Sequence, residues 1–271
     1  MMRGEVHVDR DLTHPARRGL ALLELLTVLS VILLLVGLVI PMFLSAHERS
    51  NRFHCQDNLR QIGQYLLFYG SDSKGRLPTT AAIAQTPDNT ESEQIPAGPS
   101  QDNVAAAMFR LIQRYDASPR LFVCPNTEAV ADKTGGAARW GRRSFSDVKR
   151  NLSYSMHNLP PSSQGLLADF RKFFGGRGDF VIMADMNPGI RGEDDNVIAV
   201  TPTSPAQQMR WGNSNNHGKR GQNVLYADGR VEFADNPFVG VDNDNIYTTR
   251  SNTIIDWPGD ADDSILLPTD D

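Results

Sequence analysis

Two cysteines, Cys55 and Cys124, are all the thiol chemistry that 271 residues offer. Other signatures are missing outright. There is no Walker-type glycine loop, no zinc-spaced run of Cys and His and no nucleophile elbow. The local patterns of a nucleotide-binding, zinc-finger or α/β-hydrolase site are therefore absent. Positive charge is not in excess: 27 Lys and Arg against 32 Asp and Glu leave a net charge of -5. A general nucleic-acid role has no electrostatic support. A basic stretch (Arg139, Arg142, Arg143, Lys149, Arg150) is interleaved with Trp140 and Phe145, but in an acidic chain it reads as a solvated loop. Long apolar runs are also scarce. The chain has one, near the N-terminus.

Between residues 20 and 44 every residue is apolar or small except Glu24, Thr27 and Ser30. At the rise of an α-helix that stretch spans about 37 Å, enough to cross a hydrocarbon core of about 30 Å. Arg17 and Arg18 stand immediately before it, and basic flanks hold their end of a span in the cytoplasm. A secretory signal peptide has a shorter apolar region ending at small residues. Here the run is longer and closes on Pro41-Met42-Phe43-Leu44 with no such site. A plain signal anchor would leave Glu24 unexplained, because a carboxylate in a membrane-length helix is expensive and marks function or a partner. Pro41 removes a helix hydrogen bond, so it either bends the helix or ends it.

Beyond the span, Cys55, Leu59, Ile62, Leu66 and Tyr69 recur at helical spacing and form one apolar stripe. Gln56, Asp57, Arg60, Gln61 and Gln64 lie opposite. Residues 20–70 therefore predict one long helix, apolar over 20–44 and amphipathic over 45–70, and Gly70 to Gly75 ends it. Residues 71–271 form the head. Residues 79–101 read as a loop. Asn103 can cap a helix over 104–115, Leu121 to Pro125 reads as a short strand, and residues 163–174 as a helix. A weak strand is expected around Tyr154 and Met156, and a buried one over 179–185. The clearest hairpin is Gln222 to Phe233, with Asp228-Gly229 expected as a two-residue type I′ turn.

Gly19-Leu20-Ala21-Leu22-Leu23-Glu24-Leu25-Leu26 resembles the processing site of type IV prepilins and type II secretion pseudopilins. The resemblance implies a leader over residues 1–19, cleavage after Gly19 by prepilin peptidase, and N-methylation of Leu20. It places Glu24 and Pro41 where that family carries its assembly carboxylate and its helix-bending proline. Leu20 and Ala21 depart from the residues usual there. The segments from Cys55 to Gly63, from Tyr69 to Pro78 and from Phe122 to Pro125, and His217 with Asp228-Gly229, resemble a bacterial prepilin-like family with a C-terminal His-x9-Asp-Gly motif. In this chain ten residues, not nine, separate His217 from Asp228. The implied fold is α+β and pilin-like: a long transmembrane helix packed on a small antiparallel sheet with a loop-rich head. The implied location is the inner membrane, single-pass, with the N-terminus cytoplasmic and the head periplasmic.

On this reading a neighbouring subunit's Leu20 amine pairs with Glu24 inside a filament; the alternative is a Glu24 resting at headgroup depth. Partners would be prepilin peptidase, other pilin or pseudopilin subunits, the assembly platform and the inner membrane. The rival function is a membrane-tethered head that binds an envelope ligand without polymerising. Cys55 and Cys124 can form a disulfide in an oxidising compartment or remain buried thiols. Catalysis by His217, Asp228 and Asp185 requires convergence on a pocket, and no enzymatic role is expected: Asp228 is explained by its turn, and His217 can order a loop. The C-terminal acids Asp242, Asp244, Asp260, Asp262 and Asp263 are hard ligands of the kind calcium prefers. The major pseudopilins that the N-terminus resembles use a calcium-stabilised loop. No other cofactor is expected.

Overall fold

The computed structural model describes residues 22–73, 77–78, 101–133, 136–158, 178–189, 200–251, 253, 256–260 and 262–269. The expected leader over residues 1–19, Leu20, most of the expected loop at 79–101 and the expected helix at 163–174 lie outside them. Two compact units are present, Met1–Ala46 and His47–Asp271.

Helix α1 (Leu22–Asp72) begins in the first unit and ends in the second. It continues through Pro41, so the proline does not end the helix. In the first unit every residue from Leu22 to Ile40 is exposed, with mean hydropathy 2.8 over a membrane-length 19 residues. Its hydroxyls are already bonded within the helix: Thr27 Oγ1 donates to the Glu24 carbonyl at 2.9 Å and Ser30 Oγ to the Thr27 carbonyl at 2.8 Å. Side chains satisfied in this way can lie in hydrocarbon. Glu24 lies near the N-terminal end of the described part of α1.

In the second unit the helical periodicity is realised as burial. Cys55, Leu59, Ile62, Leu66 and Tyr69 are all buried, while Asp57, Arg60, Gln61 and Gln64 are exposed. The stripe packs with helix α2 (Gln101–Tyr115), which starts two residues before Asn103. The sheet has five antiparallel strands in the order β4-β3-β2-β1-β5. They are β1 (Tyr154–His157), β2 (Val181–Asp185), β3 (Gln222–Tyr226), β4 (Val231–Ala234) and β5 (Leu266–Leu267). Antiparallel sheets often leave one face wet, but every residue of β1, β2 and β3 is buried. Leu225 joins the α1 core, whereas Val181, Ala184, Val224 and Tyr226 pack against Ile246, Tyr247 and Leu266 from the C-terminal segment. Helix and sheet meet closely at Gly63, where a Cβ would stand 3.3 Å from the Leu225 methyls.

The structure corrects two local expectations. The Leu121–Pro125 region is not a strand: Pro119–Phe122 is a 3₁₀ turn, with Pro119 at its start and Leu121 and Val123 amides bonded back to Ser118 and Arg120. The hairpin turn is not type I′, which needs positive φ at both central residues. In this turn only Gly229 has positive φ, at 86°, the Gly229 amide donates to the Tyr226 carbonyl, and Tyr226 N donates to the Arg230 carbonyl. That is a three-residue loop in which glycine takes the left-handed position. In the basic stretch, Arg139 is ion-paired with Asp116 and Arg142 with Asp132.

One buried base makes stability pH-dependent. Burial on β1 lowers the His157 imidazole from 6.5 to about 3. The native state keeps this ring neutral where the unfolded chain protonates it. The contribution is therefore complete above about pH 6.5 and is lost as pH falls toward 3. Between pH 7 and 5 this group alone should remove about 2 kcal/mol. His157→Gln should shrink the fall in melting temperature between those two pH values. An undiminished fall would show that other groups carry the acid sensitivity.

Candidate functional site

A β-bulge builds a buried cluster of polar groups in the head. Val181 pairs with Tyr226, but the next partner, Leu225, faces Met183, so β2 carries one extra residue. Ile182 and Met183 consequently both enter the α1 core, and Ala184 shares the opposite face with Val181. Strict alternation from Val181 would turn Asp185 to that opposite face. The bulge instead aims it toward α1, the kind of re-aiming that bulges produce beside sites.

There Asp185 is fully buried. Its Oδ2 accepts the Asn223 amide N–H at 2.6 Å and Asn223 Nδ2 at 3.0 Å, and Oδ1 accepts Asn216 Nδ2 at 3.2 Å. A buried carboxylate is tolerable only when held in this way. His217 Nε2 lies 3.3 Å from Asp185 Oδ2, 3.1 Å from Asn223 Nδ2 and 4.0 Å from Cys124 Sγ. On the other side of the ring, Nδ1 faces Glu48 Oε1 at 3.8 Å. Glu48 is anchored by Arg52 at 2.7 Å and Arg220 at 3.5 Å. The Phe233 ring lies edge-on to the imidazole and beneath the Arg52 guanidinium. Burial and the Asp185 charge hold the Tyr154 phenol well above its usual range, while its oxygen accepts Asn58 Nδ2.

Cys55 and Cys124 are joined as a disulfide, with Cα atoms 5.4 Å apart, inside the range such bonds require. The bridge ties α1 to the segment after the 3₁₀ turn. His217 reaches the cluster from a 3₁₀ turn, Asn215–His217, and the chain then reverses into β3. Gly221 permits that reversal: its φ is 143°, and a Cβ there would lie 2.1 Å from the Ala234 carbonyl oxygen.

The C-terminal motif does not converge. His217 is buried in the cluster, whereas Asp228 sits on the hairpin turn, accepting the Arg230 amide and guanidinium at 3.0 Å. Asp185, weighed beside them for catalysis, is the one that meets His217. Among the described residues, Cys55, Cys124, Asp185 and His217 form the one group of three or more His, Cys, Asp or Glu donors gathered as for a metal, all within 4.8 Å. Glu48 was missed from sequence, although it extends the Cys55 stripe backward at helical spacing through Arg52. Asn58, Asn216 and Asn223 carried no signal beyond their type.

The calcium candidates are dispersed. Asp260 is ion-paired with Arg250 at 3.0 Å and accepts the Asp262 amide at 2.8 Å. Asp263 Oδ2 accepts the Gly259 amide and Asp244 Oδ2 the Ser264 amide. Burial raises the Asp244 carboxyl to about 6, with Asp263 adding repulsion and the Ser264 amide opposing. Asp263 Oδ1 is buried without a hydrogen bond. Asp242 and Asp244 also line a cleft of about 500 Å³ with Val200, Phe238, Val241 and Arg250.

Compared with protein-family models, curated proteins and solved structures, the chain has no match.

Proposed function

We propose that this chain is a prepilin-like subunit, cut after Gly19 by a prepilin peptidase and assembled through the first half of α1 into a pilus-like or type II secretion filament. The observation that carries the reading is the character of α1. Its exposed apolar length has Glu24 as the one charge between residues 22 and 40, and its continuation buries a regular stripe in a mixed helix-and-sheet head. An apolar rod suits both storage in a bilayer and packing against copies of itself. In lipid the carboxylate seeks a positive partner, and the new amine on Leu20 of a neighbour supplies one. Periplasmic placement of the head follows from the Arg17-Arg18 flank.

Expression of the full chain with and without a prepilin peptidase tests the reading. Sedimentable polymer should form only with the peptidase. A processed chain that stays monomeric in the membrane while its purified form captures an envelope ligand would support the tethered binding head instead.

A further inference from the structure

We propose that Cys55, Cys124, His217 and Asp185 form a tetrahedral zinc site when the disulfide is reduced, so that one cluster closes the head by either of two cross-links. The inference stands on the His47–Asp271 unit and does not depend on the filament reading.

The donor set is two sulfurs, one imidazole nitrogen and one carboxylate oxygen, all buried and within 4.8 Å of one another. Such a mixture suits zinc. At zinc bond lengths, tetrahedral neighbours stand about 3.3 Å apart for nitrogen and oxygen and about 3.6 Å for sulfur and nitrogen. His217 Nε2 and Asp185 Oδ2 are 3.3 Å apart, and Cys124 Sγ and His217 Nε2 are 4.0 Å apart. Closing the second gap needs a shift of a few tenths of an ångström, while the two sulfurs, bonded to each other here, must separate to about 3.8 Å once that bond is broken, a movement that rotation about the cysteine side-chain bonds supplies.

The surroundings are those of a histidine ligand. With Nε2 on the metal, the ring proton sits on Nδ1, and zinc-bound histidines donate that proton to a second group, commonly a carboxylate. His217 Nδ1 is buried without a hydrogen bond, and the nearest carboxylate oxygen facing it is Glu48 Oε1 at 3.8 Å. Arg52 and Arg220 hold that carboxylate in place. Asp185 is likewise oriented, by Asn216 and by the Asn223 backbone amide; the Asn223 side-chain amide, 3.1 Å from Nε2, has to give up that lone pair to the metal.

The chemistry balances. A dithiol reductant gives two electrons and two protons to the Cys55–Cys124 bond and becomes a disulfide itself. Zinc then displaces both thiol protons. Two thiolates, one carboxylate and a neutral imidazole around Zn²⁺ leave a charge of about -1. Because the donors are buried, the metal enters as the chain folds. In a reducing compartment zinc then ties α1 to the Cys124 segment; a small-molecule disulfide oxidant takes two electrons from the thiolates, is itself reduced to two thiols, and frees Zn²⁺ as the Cys55–Cys124 bond re-forms.

The test uses the full chain, made in a reducing cytosol and purified in detergent without oxygen. Elemental analysis should find one zinc per chain with both thiols unreactive, and oxidation should release the metal. Growth with cobalt should give thiolate-to-cobalt charge transfer and tetrahedral visible bands. Glu48→Gln should weaken zinc about 10–100-fold with the fold retained by circular dichroism, whereas Asp228→Asn should not change it. A folded, reduced chain with two reactive thiols and no zinc overturns the proposal. Zinc that survives oxidation, or a cobalt spectrum without thiolate bands, overturns it equally.

Discussion

Replacing Cys55 and Cys124 together by alanine is expected to lower the unfolding free energy of the oxidised protein by about 4 kcal/mol. The bridge spans 69 residues of sequence, and a loop of that size gives the unfolded chain much freedom to lose. The native side is equally exposed to the change. Cys55 lies on the α1 stripe in the main core, and Cys124 follows the 3₁₀ turn that places Phe122 there. Both sulfurs are buried, so the smaller side chains also forfeit contacts. Denaturant unfolding in detergent should show the loss as a lower midpoint. A change under about 1 kcal/mol would mean that packing alone fixes α1 on the sheet, against the usual range for native bridges.

Glu24→Ala is expected to leave membrane insertion intact while reducing incorporation into polymer about a hundredfold. Glu24 lies near the N-terminal end of the apolar span, so removing its carboxylate relieves at most the about 2.5–3.5 kcal/mol that a charge costs at mid-membrane, and insertion cannot suffer from its loss. On the proposed filament pairing, assembly instead loses the partner of the Leu20 amine. An amine left unpaired in a low-dielectric contact costs about 3 kcal/mol, which corresponds to about two decades in an association constant. Polymer yield can be compared with membrane-fraction abundance in the same cells. Equal incorporation of the variant would place Glu24 at headgroup depth, with no role in pairing.

What could be read from the sequence was the part set by local periodicity. The stripe from Cys55 to Tyr69 repeats at the helical period, and each of its residues is buried. The strands at Val181–Asp185 and in the hairpin are apolar runs between polar breaks. Three things were not legible, and each depends on distant partners. The bulge at Ile182 arises from registry with β3, so no alternation rule could place Asp185 on the α1 face. The 3₁₀ turn at Pro119 closes on local hydrogen bonds but is set in place by Phe122, which is buried in the core and whose carbonyl accepts the Ser153 amide, and β5 at Leu266–Leu267 is only two residues paired with β1; both are too short to leave a pattern. The cluster itself gathers Glu48, Cys124, Asp185 and His217 across 170 positions of sequence. No motif spacing could have joined them. His217 and Asp228 show the converse, since a pair close in sequence is divided between a buried cluster and an exposed turn.

On the proposed function, the apolar helix belongs to a processed subunit whose mature chain begins at Leu20. Mass spectrometry of the membrane-bound protein, from cells with an active prepilin peptidase, tests it most directly. The predicted result is an N-terminal peptide starting at Leu20 and carrying one N-methyl group. A mature chain that keeps residues 1–19, or that begins anywhere other than Leu20, would contradict it.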